Sequence, residues 1–132
     1  MGATITKTID NIVSIAWPGV QSARKSPPSI LSTGSFPILF IRSCERMKDQ
    51  RSLSFTGGLD VVKVEMVILL DAARQNTQEA AYEAMRKMAD DVAKTLDENA
   101  ELLLLDDYSV KEGFEPVQDT AYFAVFAEVR CA

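Results

Sequence analysis

Val61-Val62-Lys63-Val64-Glu65-Met66-Val67-Ile68-Leu69-Leu70 is the stretch whose reading decides the fold. Val62, Val64, Met66, Ile68 and Leu70 recur at every second position, the period of a β-strand. Lys63 and Glu65 alternate with them, and then Val67 and Leu69 take their place. One face is therefore apolar along its whole length, and the other is wet only at its start. Such a strand needs partners on both edges and a cover on its main face.

Two further segments can supply the partners. Phe36-Pro37-Ile38-Leu39-Phe40-Ile41 reads as a strand whose proline suits a strand start or an edge. Thr120 to Cys131 reads as the last strand. In it Ala121, Phe123, Val125, Ala127, Val129 and Cys131 face one way, while Tyr122, Ala124, Phe126, Glu128 and Arg130 face the other.

Two amphipathic segments can supply the cover. Ile5, Ile9, Ile12, Val13 and Ala16 fall at spacings of three and four, as one helical face requires. Trp17-Pro18-Gly19 ends that helix, because proline removes a donor and glycine takes the exit conformation. A second helix starts at Asn76 or Thr77, with Glu79 in its first turn. Ala81, Ala84, Met85, Met88, Val92 and Leu96 form its apolar stripe, and Glu83–Lys87 and Asp90–Lys94 are favourable pairs four apart. The two methionines read as core filler. The expected class is α+β: an antiparallel or mixed sheet packed against helices as a two-layer sandwich.

Between these elements lie segments without a clear period. Residues 20–35 read as loop with one short strand near Val20 or Ile30. Ser43 to Asp60 is too long for an ordinary connection between strands. It is polar and basic at first, then carries Leu53 and Phe55, and reads as an extended hairpin arm that packs outside its own subunit. Leu102 to Leu105 is too short to type by period, and either continues a helix or opens a short strand into Tyr108 and Val110. Glu112-Gly113-Phe114-Glu115-Pro116 reads as a turn.

Composition bounds the chemistry. The chain has 132 residues and no histidine, which removes His-based triads, His general bases and His metal ligands at once. Two cysteines, Cys44 and Cys131, are too few for a zinc cluster or a disulfide framework. Asp106-Asp107, placed in a loop, is the best of the carboxylate pairs, yet neighbouring residues do not converge on a metal unaided. Gly57-Gly58 lacks the strand-to-helix setting of a phosphate loop. No catalytic role, cofactor or metal is expected. No run approaches the roughly 20 apolar residues of a membrane helix. The start lacks the pattern of a secretory signal, so a cytoplasmic location is expected.

Charge is unevenly spread. The net charge of −5 is the balance of +4 over residues 1–51 and −8 over residues 77–119, with little elsewhere. Copies of one chain with opposite signs on different parts attract head to tail, and such contacts close into rings if the rotation permits.

The order of elements resembles the tail terminator proteins of long-tailed phages, the lambda-type minor tail protein U family. The residues that carry the likeness are Phe36–Ile41, Val62–Leu69, the helix from Thr77 to Leu96 and the ending Thr120-Ala121-Tyr122-Phe123-Ala124-Val125-Phe126. Residues 1–35 match least well. The resemblance implies one tail-terminator-like domain over residues 1–132, with residues 43–60 as its arm. It implies a non-enzymatic virion protein that forms a hexameric ring at the head-proximal end of the tail tube, in the host cytoplasm. The ring stops tube growth, meets the neck or head-completion protein, and leaves a channel through which DNA passes without specific binding. Arg46, Lys48, Arg51 and Phe55 in the arm, with Asp106 and Asp107 on the acidic side, are then the expected interface residues. The alternatives are another phage neck or head-completion protein, and a cellular ferredoxin-like ligand-binding domain.

Overall fold

The computed structural model describes residues 4–28, 36–49, 59–70, 78–117 and 120–132. Its elements are α1 (Ile5–Ser14), β1 (Ser22–Arg24), β2 (Ile38–Asp49), β3 (Leu59–Leu69), α2 (Gln78–Glu98), α3 (Ala100–Leu103), β4 (Leu105–Val117) and β5 (Thr120–Cys131). The fold is α+β. Five strands form one mixed sheet in the order β1-β2-β3-β5-β4. β1 runs parallel to β2, and the other three pairings are antiparallel. β3 and β4 therefore run parallel with β5 between them, and α2 and α3 link them as a split β-α-β unit.

The helices share one face of the sheet. Ile12 and Ile15 from the α1 segment pack in one core with Met85, Met88, Val92 and Leu96 of α2 and with Val62, Val64, Met66, Ile68, Val125, Ala127 and Val129 of the sheet. The α2 stripe read from the sequence is the buried one, with Ala81 also inside and Ala84 at its margin. Both methionines fill this core. The residues expected to cap α2 lie outside the described part of the chain. Lys87 Nζ pairs forward with Asp91 Oδ2 at 2.8 Å, four residues on.

Local chemistry ends the helices where the chain must turn. Thr4 caps α1 by accepting from the Lys7 amide at 3.2 Å. At its other end Trp17 is buried and donates its indole N–H to the Ile12 carbonyl at 2.9 Å. Gly19 takes a left-handed φ of 77°, which the exit requires and which few side chains adopt. The Gln21 amide then donates to the Pro37 carbonyl and leads into β1, the short strand expected near Val20.

The opposite face of the sheet is apolar over one half only. Phe40, Val67, Leu69 and Ala124 are buried there, flanked by Phe36, Val117, Tyr122 and Phe126. Phe36 and Tyr122 stack with ring centroids 5.4 Å apart. The other half carries Glu45, Lys63, Glu65, Ser109, Glu128 and Arg130. The change from wet to apolar along β3 is the one read from Lys63-Glu65-Val67-Leu69.

Three expectations are corrected. Glu112–Pro116 is not a turn but the middle and end of β4, paired with Val125 through Ala121. Its glycine answers to contact: a Cβ on Gly113 would lie 2.8 Å from the Phe126 ring. Its proline is tolerated because β4 is the last strand in the sheet order. Asp106-Asp107 is likewise in a strand, where the register with β5 shifts between Leu105 and Asp107. The first part of the arm, Ser43 to Met47, continues β2 and pairs with Glu65 through Val61. A register shift between Ile41 and Ser43 lets both Ile41 and Cys44 face the helices, and this break in the alternation hid the continuation.

Replacing Gly113 by Ala adds a methyl group against a ring already held between neighbours. We expect a loss of about 1–2 kcal/mol, typical of overpacking. In the Gly113→Ala, Phe126→Leu double variant the two losses add to less than their sum, since the smaller side chain makes room. Thermal melting of the two single variants and the double checks this. A Gly113→Ala variant that melts with the wild type removes the steric reading.

Candidate functional site

The described residues place the expected interface groups at one end of the sheet. Arg46 is level with Val62, Val62 with Cys131, and Cys131 with Leu105. Arg46 and the Asp106-Asp107 segment thus flank the same end, about 14 Å apart if three strand spacings are counted. Lys48 extends β2 opposite Asp60. Arg51 and Phe55 lie outside the described residues.

At this end the β2–β3 hairpin outruns the rest of the sheet. The last β3–β5 pair is Val62 with Cys131, but β2 and β3 continue to Met47–Val61, Lys48–Asp60 and Asp49–Leu59. Three further pairs amount to about 10 Å of projection. The arm therefore begins at Met47 rather than Ser43.

The polar half of the sheet face is a network of compensated charge. Glu65 stands directly opposite Glu128, and Lys63 opposite Arg130. Like charges so placed repel, and each cation turns to a nearby carboxylate instead. Lys63 lies 3.7 Å from Glu128, while Arg130 lies 3.9 Å from Glu128 and 3.7 Å from Asp107. Arg42 sits over the Phe126 ring, 5.2 Å from its centroid, and pairs with Glu115 on β4. Sequence reasoning missed this strut, because Arg42 and Glu115 are far apart in sequence and Glu115 was read as part of a turn. A shallow concavity of about 520 Å³ lies beside it, with Glu65, Lys111, Phe126 and Glu128 in its lining.

Among the described residues, reactive groups are few. Among the described residues no three His, Cys, Asp or Glu side chains are grouped to hold a metal. The one buried side-chain polar atom among them without a hydrogen-bond partner is Ser22 Oγ. Tyr108 donates its hydroxyl to Asp97 Oδ1 at 2.8 Å, and this bond raises its pKa. Burial, and then the nearby Cys44, push the Cys131 thiol from 9.0 up to about 11. Burial also raises Cys44, partly offset by a backbone hydrogen bond at Glu45. No helix among the described residues is long and apolar enough to cross a membrane.

Fold and surface together define an α+β module with a projecting hairpin and two strand edges that no described strand covers. Compared with known protein families and with curated proteins, the sequence matches no family model and no curated relative.

The thiols give a direct check of the core. A thiol reacts as its thiolate, so a raised pKa and burial both slow it. At pH 8 both cysteines in the folded chain should react with an aromatic disulfide reagent far more slowly than in urea, Cys131 slower than Cys44. The linkage has one sign: the stability tied to Cys131 is fully present below pH 9 and is lost as the pH rises towards 11. Equal, fast labelling of both thiols in the native protein contradicts the placement of the β5 end.

Proposed function

We propose that this chain is a structural virion protein of the tail terminator kind. Six copies form a ring on the head-proximal end of a tail tube, end its polymerisation and offer a joining surface to the neck or head-completion protein. The ring is assembled in the host cytoplasm and remains in the tail. DNA passes through its channel without specific binding, and the chain performs no catalytic step. The observation that carries this reading is the projection of the β2–β3 hairpin past the sheet, from a basic part of the chain, beside the acidic start of β4. The resemblance of element order supports it independently. A ferredoxin-like ligand domain is less well supported, because such a domain needs two β-α-β halves and the described residues hold one split unit.

Ring formation is read by light scattering or native mass spectrometry at low and high salt. Contacts between exposed charges are screened beyond about 10 Å at 0.1 M salt, so the ring should weaken as salt rises. A chain that stays monomeric at every salt and concentration, and also when mixed with tail tubes, overturns the proposal. Negative-stain imaging of labelled protein on particles separates a tail-end position from a neck position.

Replacing Arg46, Lys48 and Arg51 by Glu tests the hairpin. Arg46 is exposed, and exposed substitutions usually change stability by no more than about 0.5 kcal/mol. Melting should therefore stay near that of the wild type while assembly falls, since like charges then meet at every interface of a closed ring. Normal assembly by this variant means that the hairpin is only a solvated projection. A collapsed melting curve means that its charges serve the fold instead.

A further inference from the structure

The sheet has two long edges that no described strand covers. β4 is the last of the five strands, and twelve of its 13 residues pair with β5, on one side only. Its exposure is that of an edge, with Phe114 at 53 %. The other edge is less obvious. β1 covers β2 at Ile38, Leu39 and Phe40 and then ends. From Ile41 to Asp49, β2 has β3 on one side and no described strand on the other. Uncovered edges of this length are templates for pairing with another chain.

Direction and charge match the two edges to each other. β2 and β4 run antiparallel within the sheet, as the three intervening antiparallel pairings require. Moving one copy sideways along its own sheet therefore brings its β4 against the β2 of the next copy in antiparallel orientation. That arrangement extends the ladder and keeps the helices of both copies on the same side. In sequence, β4 carries Asp106, Asp107, Glu112 and Glu115 against Lys111, whereas β2 from Arg42 on carries Arg42, Arg46 and Lys48 against Glu45 and Asp49. An edge of net charge −3 thus faces one of net +1, with Arg42 and Glu115 already paired to each other inside each subunit. Pairing of β4 with β4 of another copy sets carboxylates against carboxylates and closes as a two-fold dimer.

We infer that neighbouring copies of this chain join edge to edge, the hairpin end of β4 pairing antiparallel with the Ile41–Asp49 part of β2 in the next copy. The occupant of each edge is a second copy of the same chain. Because the contact is heterologous, it repeats from copy to copy and closes into a ring where the rotation between neighbours permits. The inference rests on the ring reading above and names its interface.

Hydrogen exchange on the full chain tests it without any substitution. In the oligomer, amides of Leu105–Val110 and of Ile41–Met47 should exchange at least about tenfold slower than in the salt-dissociated monomer, since main-chain pairing suppresses local opening. Two adjacent variants, Ser109→Pro and Val110→Pro, add a second test. Successive residues of a strand address opposite neighbours, so one of the two loses a bond to β5 and the other only its outward N–H. The variant that keeps the wild-type melting curve should be monomeric or greatly impaired in assembly. An oligomer whose β4 amides exchange as in the monomer, or a folded proline variant that assembles normally, overturns edge pairing and leaves the ring standing. A chain that never associates overturns the ring reading and this interface together.

Discussion

The rest of the structure depends on β3 having a strand on each edge and a cover over its apolar positions. Val62, Val64, Met66 and Ile68 are buried beneath the helices, and Val67 and Leu69 are buried on the opposite face. β2 and β5 take up its main-chain groups on both edges. A buried strand without such partners loses roughly 1–3 kcal/mol for each unsatisfied polar group. β2 and β5 must therefore be present, in register, before the apolar stripe of β3 stabilises anything. The helices follow from the same demand. α2 offers Ala81, Met85, Met88, Val92 and Leu96 at helical spacing, and α1 adds Ile12 and the adjoining Ile15 and Trp17.

The opposite face shows what happens where the apolar demand ends. Halfway along β3 the face changes from Val67 and Leu69 to Lys63 and Glu65, and β5 changes in step from Ala124 and Phe126 to Glu128 and Arg130. Such exposed pairs contribute little each, about 0–1 kcal/mol. Their larger effect is on specificity, because a slip of β5 by one residue would turn Glu128 and Arg130 into the helix-covered core. Arg42 marks the border: it stacks on Phe126, the last aromatic side chain of β5, and reaches Glu115.

How much was legible in the sequence follows from where the periodicities are clean. Val61–Leu70, the α2 stripe and Thr120–Cys131 each keep one period throughout, and each was read correctly in type. The misreadings fall where one residue breaks the count. The register shift between Ile41 and Ser43 made the rest of β2 read as a hairpin arm outside the sheet, and the shift between Leu105 and Asp107 left the start of β4 undecided between helix and strand. Gly113 and Pro116 are ordinary turn residues whose strand roles depend on Phe126 and on an open edge, both set by tertiary structure. Of the expected interface set, Arg46, Asp106 and Asp107 were placed at a common end of the sheet by pairings that no local pattern reveals. The strut from Arg42 to Glu115 joins residues far apart in sequence, so nothing local announces it.

The two edges that no described strand covers are also blunted unevenly. At the end away from the hairpin, β1 occupies β2 from Ile38 to Phe40, and Pro116 deprives β4 of one donor near its close. Both devices are of the kind that keeps an edge from indiscriminate pairing. Towards the hairpin end neither is present among the described residues. There β4 carries Asp106 and Asp107, and β2 leads through Arg46 into the projecting hairpin. Charges of one sign on an edge repel a like edge and admit an opposite one. A sheet protected at one end and charge-coded at the other favours a defined neighbour over open aggregation. The projection of the hairpin past Cys131 then extends the contact beyond the sheet itself.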